Sequence, residues 1–74
     1  MKKEPPRQHL DPDGVRIEVD WKKFQPNTSV FIPAVNLSKL IRQFYSITNR
    51  NRWLIHHTEW IENGKLGVRF WRVL

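Results

Sequence analysis

Residues 52–74 read RWLIHHTEWIENGKLGVRFWRVL. Two runs rich in β-branched and aromatic residues flank Asn63-Gly64, and this arrangement is the strongest short-range signal for a β-hairpin. Both central residues of a type I′ turn require a positive φ, which asparagine and glycine tolerate at the lowest cost. A two-residue turn at this position pairs Glu62 with Lys65. Each later pair then follows by stepping one residue outward along both strands.

This register divides the hairpin into two faces, because successive side chains of a strand point to opposite sides. The first face is the more apolar and is the predicted core side: Trp53, Ile55, His57, Glu59 and Ile61 opposite Leu74, Arg72, Phe70, Val68 and Leu66. The second face mixes aromatic with cationic side chains: Arg52, Leu54, His56, Thr58 and Trp60 with Val73, Trp71, Arg69 and Gly67. The functional interpretation of the sequence therefore centres on this second face.

The composition indicates one small domain, since 74 residues lie near the lower limit for a self-supporting core. The chain has no cysteine, which excludes disulfides, a thiolate nucleophile and cysteine-based zinc sites. No apolar run approaches the roughly 20 residues of a membrane span. Met1-Lys2-Lys3 is followed by Glu4-Pro5-Pro6 rather than by an apolar run, so no signal peptide is predicted. We therefore expect a soluble cytoplasmic protein.

The formal net charge of +6 lies in the predicted domain, because residues 1–14 are neutral. A basic folded domain favours a polyanionic partner such as nucleic acid. The alternative is that a small protein carries net charge for solubility alone.

The first part of the chain is predicted to be a flexible arm over residues 1–13, which contain three prolines and little apolar surface. A single domain is predicted over residues 14–74. Residues 15–19 alternate apolar with charged side chains, as a half-buried strand does, and residues 28–32 form a second short strand that ends at Pro33. These two strands either pair as a hairpin across residues 20–27, or the first is only an edge extension.

A helix is predicted over about residues 37–47, after Asn36 as the N-cap. Its apolar stripe must pack on the sheet, since so short a helix is not stable alone in water. The predicted fold is α+β, with one short helix packed on a three- or four-stranded, mainly antiparallel sheet that ends in a long C-terminal β-hairpin.

A set of short motifs resembles a known protein family: Trp21-x-x-Phe24, then Ser29-Val30-Phe31-Ile32-Pro33, then a short helix and Gly67-Val68-Arg69-Phe70-Trp71-Arg72-Val73. These motifs are similar to those of small, mostly uncharacterised bacteriophage proteins with a Trp-x-x-Met, a Gly-x-Ser-Phe-Phe-Val-Pro-like strand, a helix and a terminal Gly-Val-Arg-Val-Trp-Arg. The resemblance covers residues 21–74, and Asn27 stands where the family has the glycine. It implies a phage-encoded accessory protein made in a bacterial cytoplasm, and it brings no established activity.

No residue set predicts an enzyme. His56 and His57 are neighbours on a predicted strand, so they point to opposite faces and cannot chelate one ion together. His57 and Glu59 share a face, but no nucleophile accompanies them, and a polar patch near Arg72 is the interpretation that we favour. His9 lies in the predicted arm, and the three glycines are isolated rather than grouped in a phosphate loop. We predict no catalytic residue, no metal site and no cofactor.

Binding is the function class that the second hairpin face favours. Arginine can contact phosphate, and tryptophan can stack on exposed bases. The predicted nucleic-acid-binding residues are Arg52, His56, Trp60, Arg69 and Trp71, with Lys22 and Lys23 adding backbone contacts. A three-stranded sheet backed by a helix can also lie in the major groove of DNA, so DNA is favoured over RNA.

Two alternatives use the same residues. In the first, Trp60 and Trp71 are core residues, covered by the N-terminal strand or by residues 21–27, and Arg69 is fixed by Glu18 or Asp20. In the second, the same face docks on a host protein or forms a homodimer, since exposed tryptophan and arginine are typical of interface hot spots.

Overall fold

The computed structural model describes residues 9–74. Along the chain its elements are β1 (His9–Leu10), β2 (Ile17–Glu18), β3 (Ser29–Pro33), α1 (Leu37–Arg50), β4 (Ile55–Glu62) and β5 (Lys65–Arg72). Strands β3, β5 and β4 form an antiparallel sheet in that order, while β1 and β2 form a separate two-stranded antiparallel ribbon. The α+β prediction is confirmed, with the main sheet three-stranded.

The C-terminal hairpin has the predicted register, from Glu62 opposite Lys65 to Ile55 opposite Arg72. Asn63 and Gly64 have φ values of 52° and 76°, the positive sign that a type I′ turn requires. Strand β3 pairs with the other side of β5, and this makes β5 the central strand.

The helix begins at the predicted cap, where the Asn36 side chain accepts a hydrogen bond from the Lys39 backbone N–H at 3.1 Å. It ends three residues later than predicted. Arg52, with φ 59°, donates its backbone N–H to Asn49 O, and Trp53 donates to Thr48 O, so the helix closes in a Schellman motif. The last turn is retained because Thr48 is fully buried against the rest of the core.

The core lies between α1 and one face of the main sheet. The Phe44 ring stacks on the Phe70 ring at a centroid distance of 3.6 Å. The buried apolar residues are Leu10, Phe24, Ile32, Ala34, Leu40, Phe44, Ile47, Ile55, Val68 and Phe70.

The predicted core face of the hairpin is buried over only part of its length. Ile55, Val68 and Phe70 are in the core, but near the turn Ile61 and Leu66 are 67% and 44% exposed. The prediction is wrong for these two residues because the hairpin tip extends beyond the surface that α1 covers.

The predicted arm extends too far along the chain. Residues 1–8 lie outside the described part, but Leu10 is fully buried, and β1 pairs with β2. Asp13 accepts hydrogen bonds from the backbone N–H groups of Val35 and Asn36 at 2.9 and 2.8 Å. The predicted boundary at residue 14 is therefore wrong for residues 9–13, which belong to the fold because Leu10 packs in the core.

Of the two alternatives for the first two strands, the hairpin across residues 20–27 is wrong. Ile17–Glu18 pairs with β1, and β3 pairs with β5, so no hairpin spans residues 20–27. That segment turns twice, and the backbone N–H of Asn27 donates to Arg72 O at 2.7 Å. Asn27 has φ 69°, in the left-handed region that asparagine tolerates better than most residues with a side chain.

Within residues 9–74, no helix has the length and apolar character needed to cross a membrane.

Candidate nucleic-acid interface

The sheet has one face that no described helix or strand packs against, because α1 packs on the opposite face through Phe44 and Phe70. We call it the open face. The registers of the three strands place on it Ser29, Phe31, Pro33, His56, Thr58, Trp60, Glu62, Lys65, Gly67, Arg69 and Trp71. It contains most of the predicted second face of the hairpin and adds one side of β3.

Arg69 on the central strand is fixed by three charge-assisted hydrogen bonds. Its Nε and Nη2 donate to the two carboxylate oxygens of Glu62 at 2.6 and 2.7 Å, and its Nη1 donates to Ser29 Oγ at 2.7 Å. The hydrogen bond from Arg69 lowers the pKa of Glu62, and the same bond raises the pKa of Arg69. Arg69 therefore carries a compensated charge. The alternative in which Glu18 or Asp20 is the partner of Arg69 is therefore wrong.

Aromatic rings surround this ion pair. The Trp60 indole Nε1 donates to Glu62 Oε2 at 2.6 Å, and the Trp60 and Trp71 rings meet edge to face at 5.8 Å. The Arg69 guanidinium lies 5.9 Å from the centroid of the Phe31 ring. These contacts hold three flat side chains next to one another on the outside of the sheet.

The two tryptophans of the open face are not core residues. Trp60 is 42% exposed, and Trp71 is partly exposed and absent from the buried cluster. Trp21 and Trp53 are the tryptophans that pack against the core. The alternative in which Trp60 and Trp71 form the core is therefore wrong.

The structure brings together four of the predicted binding residues. His56 lies directly opposite Trp71, and Trp60 and Arg69 share the face with them. Arg52 lies in the turn after α1, outside the strands.

The two lysines line two different grooves. Lys22 lines a cleft with Trp53 and Arg72, where the Arg72 guanidinium stacks 4.0 Å from the Trp53 ring. Lys23 lines a groove beside β3, together with Glu18. Ser29 and Phe31 of the open face line the same groove as Lys23, so Lys23 lies at the β3 border of that face, whereas Lys22 is apart from it.

Two residues of the open face were missed by the sequence reasoning. Phe31 joins the face because β3 pairs with β5, which no local pattern in residues 28–33 indicates. Glu62 was placed only as the partner of Lys65 in the turn. Val30, Phe31 and Ile32 are all apolar, so the sequence gives no signal of which of them points away from the core.

The histidines of β4 lie on opposite faces, as predicted. On the helix side, the Tyr45 hydroxyl and His57 Nδ1 are 2.7 Å apart, and burial raises the pKa of Tyr45. His57 thus has a hydrogen-bond partner on α1. Within residues 9–74, no group of three or more His, Cys, Asp or Glu side chains is arranged to hold a metal ion.

Comparison of the chain with protein-family models, curated proteins and solved structures finds no match. The resemblance to bacteriophage proteins stays a prediction from the motifs.

Proposed function

We propose that the protein is a non-enzymatic accessory protein that binds single-stranded nucleic acid on the open face. The observation that carries this proposal is the display of Phe31, Trp60 and Trp71 on a sheet face that no described helix or strand covers. Exposed rings on a sheet are stacking platforms for unpaired bases, at about 1–3 kcal/mol per base. Bases paired in a duplex do not offer their flat surfaces in this way, so the geometry favours single strands.

The charge of the open face differs from the sequence-based expectation. Because Arg69 is paired with Glu62, it contributes less to phosphate attraction than a free arginine would. The net charge of +6 still attracts a polyanion at long range. We therefore expect stacking to supply most of the affinity, and the salt dependence to correspond to only a few phosphate contacts.

The motif resemblance supports a phage-encoded origin and a role in the host bacterial cytoplasm. Unpaired bases are open to stacking in both DNA and RNA, so the test below compares the two.

A direct test is fluorescence anisotropy with labelled single-stranded DNA, single-stranded RNA and duplex DNA. Trp60→Ala should weaken binding to the single strand by roughly 5- to 100-fold, equivalent to the loss of one stacked base. Arg42→Ala, which removes one exposed charge from the outer side of α1, should weaken it by no more than a few-fold. Equal effects of the two variants, or no binding at low salt, would refute the stacking proposal.

A second variant tests the role of the ion pair. Glu62→Gln removes a negative charge from the open face, while its amide oxygen can still accept a hydrogen bond from Arg69. Binding of a polyanion should therefore tighten. Weaker binding would show that the ionised Glu62, and the geometry it gives Arg69 and Trp60, matters more than the charge of the face.

A second candidate function is docking on a host protein. It is favoured by the exposed apolar residues Ile61 and Leu66 at the hairpin tip, on the side of the sheet opposite the open face. Such an interface would respond weakly to salt. In a pull-down from bacterial lysate, a specific partner should be lost with Ile61→Ser/Leu66→Ser and retained with Val15→Ser, which alters an exposed residue elsewhere.

A further inference from the structure

The edge of β4 is the long unpaired edge of the main sheet. The strand order β3-β5-β4 leaves one side of β4 with no neighbour among the described strands. This strand has eight residues, and His56 to Ile61 are all exposed. Half of its backbone N–H and C=O groups point away from β5, as in any edge strand. Apart from the Ile55 carbonyl, which accepts a hydrogen bond from the Tyr45 hydroxyl at 3.2 Å, they are available to another strand.

Strand β4 lacks three of the features by which proteins usually block an edge. It contains no proline and no lysine, and its pairing with β5 is one-to-one from Ile55 to Glu62, without a bulge. The opposite edge differs, because β3 has five residues, ends in Pro33 and borders a groove lined by residues 17–20. The two edges of the sheet are therefore not equivalent, and β4 is the open one.

The sequence of β4 is complementary to itself. Two copies can pair antiparallel about a two-fold axis normal to the sheet. Directly opposite residues then lie on the same face, so the axis passes between the two copies of one residue, which stands opposite itself. An axis at Thr58 places His57 opposite Glu59 of the other copy, and Ile55 opposite Ile61. Imidazole thus meets carboxylate, and aliphatic meets aliphatic.

The neighbouring registers are less favourable. An axis at Glu59 places two carboxylates directly opposite each other, and like charges in that position are destabilising. An axis at His57 places two imidazoles opposite each other and leaves Ile55 against Glu59. Complementarity thus selects the register centred on Thr58.

We propose that two copies of the chain pair through their β4 edges, antiparallel and centred on Thr58, to form one continuous six-stranded sheet. The pairing places Ile61, which is 67% exposed in the single chain, beside Ile55 of the other copy, whose side chain is already buried in its own core. On the open face it sets His56 opposite Trp60 of the other copy. The tryptophans of both open faces then lie on the same side of one sheet.

This inference does not depend on nucleic-acid binding, since it follows from the edge and its side chains alone. A single strand pair is a small interface, below the roughly 1,200 Å² of standard-size interfaces. We therefore expect a dimer that dissociates in the micromolar range.

The test combines sedimentation with cysteine crosslinking, which is clean because the chain has no cysteine. Sedimentation velocity of the full chain, from about 1 µM to about 1 mM, should show a monomer–dimer equilibrium. Thr58→Lys places two like charges at the axis and should shift the species to monomer. Ser46→Lys adds the same charge on α1, away from β4, and should leave the dimer unchanged. Circular dichroism confirms that each variant is folded.

Crosslinking reports the register. Directly opposite residues have Cβ atoms about 4.5–5.5 Å apart, close enough for a disulfide after small adjustments, whereas residues one step diagonal are about 7–8 Å apart. Under mild oxidation Thr58→Cys should form a covalent dimer faster than Glu59→Cys or Ser46→Cys. An equimolar mixture of His57→Cys and Glu59→Cys should form the mixed dimer preferentially.

A chain that stays monomeric up to the highest concentration, with Thr58→Cys crosslinking no faster than Ser46→Cys, would overturn the proposal. A dimer that crosslinks fastest through Glu59→Cys would overturn the register. If the dimer forms as proposed while no nucleic acid binds, only the proposed function fails.

Discussion

Arg52 occupies a backbone conformation that its side chain does not favour. Among the described residues, the other non-glycine positions with positive φ are Asn27 and Asn63, and asparagine tolerates that region. An arginine there costs about 1 kcal/mol relative to glycine. The hydrogen bonds of the Schellman motif keep the backbone in place.

Replacing Arg52 by glycine should raise the free energy of unfolding by about 1 kcal/mol, because glycine adopts φ near 59° without strain. Urea denaturation followed by tryptophan fluorescence measures the change. Arg52→Lys is the matched control, since it keeps both the charge and the strain, and should leave stability nearly unchanged. A glycine variant no more stable than the lysine variant would contradict this account of the turn.

Gly67 on the central strand should not tolerate a side chain. An added Cβ would lie 2.7 Å from Phe31 Cζ, 2.8 Å from Pro33 Cα and closer still to the Ile32 carbonyl oxygen. Two of these three contacts are with the backbone of β3, which cannot move away without breaking its pairing with β5. We expect Gly67→Ala to cost about 3 kcal/mol of unfolding free energy.

Thermal denaturation of Gly67→Ala beside Leu66→Ala tests that prediction. Leu66 is the preceding residue, lies on the other face and is 44% exposed, so its truncation should cost less than about 1 kcal/mol. A similar loss of stability in both variants would show that the β3 backbone can move to accommodate the added methyl group.

The sequence predicts where the open-face side chains of the hairpin lie but not what they bond to. The Asn63-Gly64 turn sets the register, and the register places Trp60, Arg69 and Trp71 on one face. Glu62, the partner of Arg69, is neither its direct neighbour across the strands, which is Thr58, nor the next residue along that face. Long side chains that extend along the sheet are not specified by strand pairing.

At the scale of elements, the helix and the hairpin were predictable because their signals are local. Asn36 caps α1, and Asn63-Gly64 closes the hairpin, each within a few residues of the structure that it starts. Strand β1 was not predictable, because a strand of two residues has no periodicity to detect. Its place depends on the packing of Leu10 in the core, which is a long-range contact.

Leu10→Ala tests whether this N-terminal segment contributes to the fold. A fully buried leucine replaced by alanine should cost about 3 kcal/mol, through lost burial and the cavity that remains. Val15→Ala, at a position that is 70% exposed, should change stability by less than about 0.5 kcal/mol. Urea denaturation measures both. If the two variants behave alike, residues 9–13 belong to a flexible arm after all.

At the scale of the whole molecule, two carboxylates connect distant parts of the chain. Asp13 links the N-terminal segment to the start of α1, and Glu62 links the end of β4 to the centre of the sheet through Arg69. Hydrogen bonds from the backbone of Asn36 and Val35 lower the pKa of Asp13, as the bond from Arg69 lowers that of Glu62. Both groups therefore make the stability of the folded chain depend on pH.

The sign of this dependence follows from the two pKa values. Because each pKa is lower in the folded chain than its ordinary value of 3.8 for Asp13 or 4.5 for Glu62, the unfolded chain takes up protons first as the pH falls. The stability contributed by these two carboxylates is fully present when the pH is above their ordinary pKa values. It is lost as the pH falls through the lower pKa values that the two groups have in the folded chain. The free energy of unfolding should therefore decrease between about pH 6 and pH 3.

The double variant Asp13→Asn/Glu62→Gln should be less stable than the natural chain at about pH 6 and should lose less stability on acidification, because its two amides do not titrate. Urea denaturation at a series of pH values measures both slopes. Glu59→Gln removes an exposed carboxylate that has no described hydrogen bond, and should keep the steep slope of the natural chain. If the free energy of unfolding falls equally with pH in the natural chain and in the double variant, the hydrogen bonds of Asp13 and Glu62 do not determine the acid stability of the protein. The other carboxylates would then have to account for the loss.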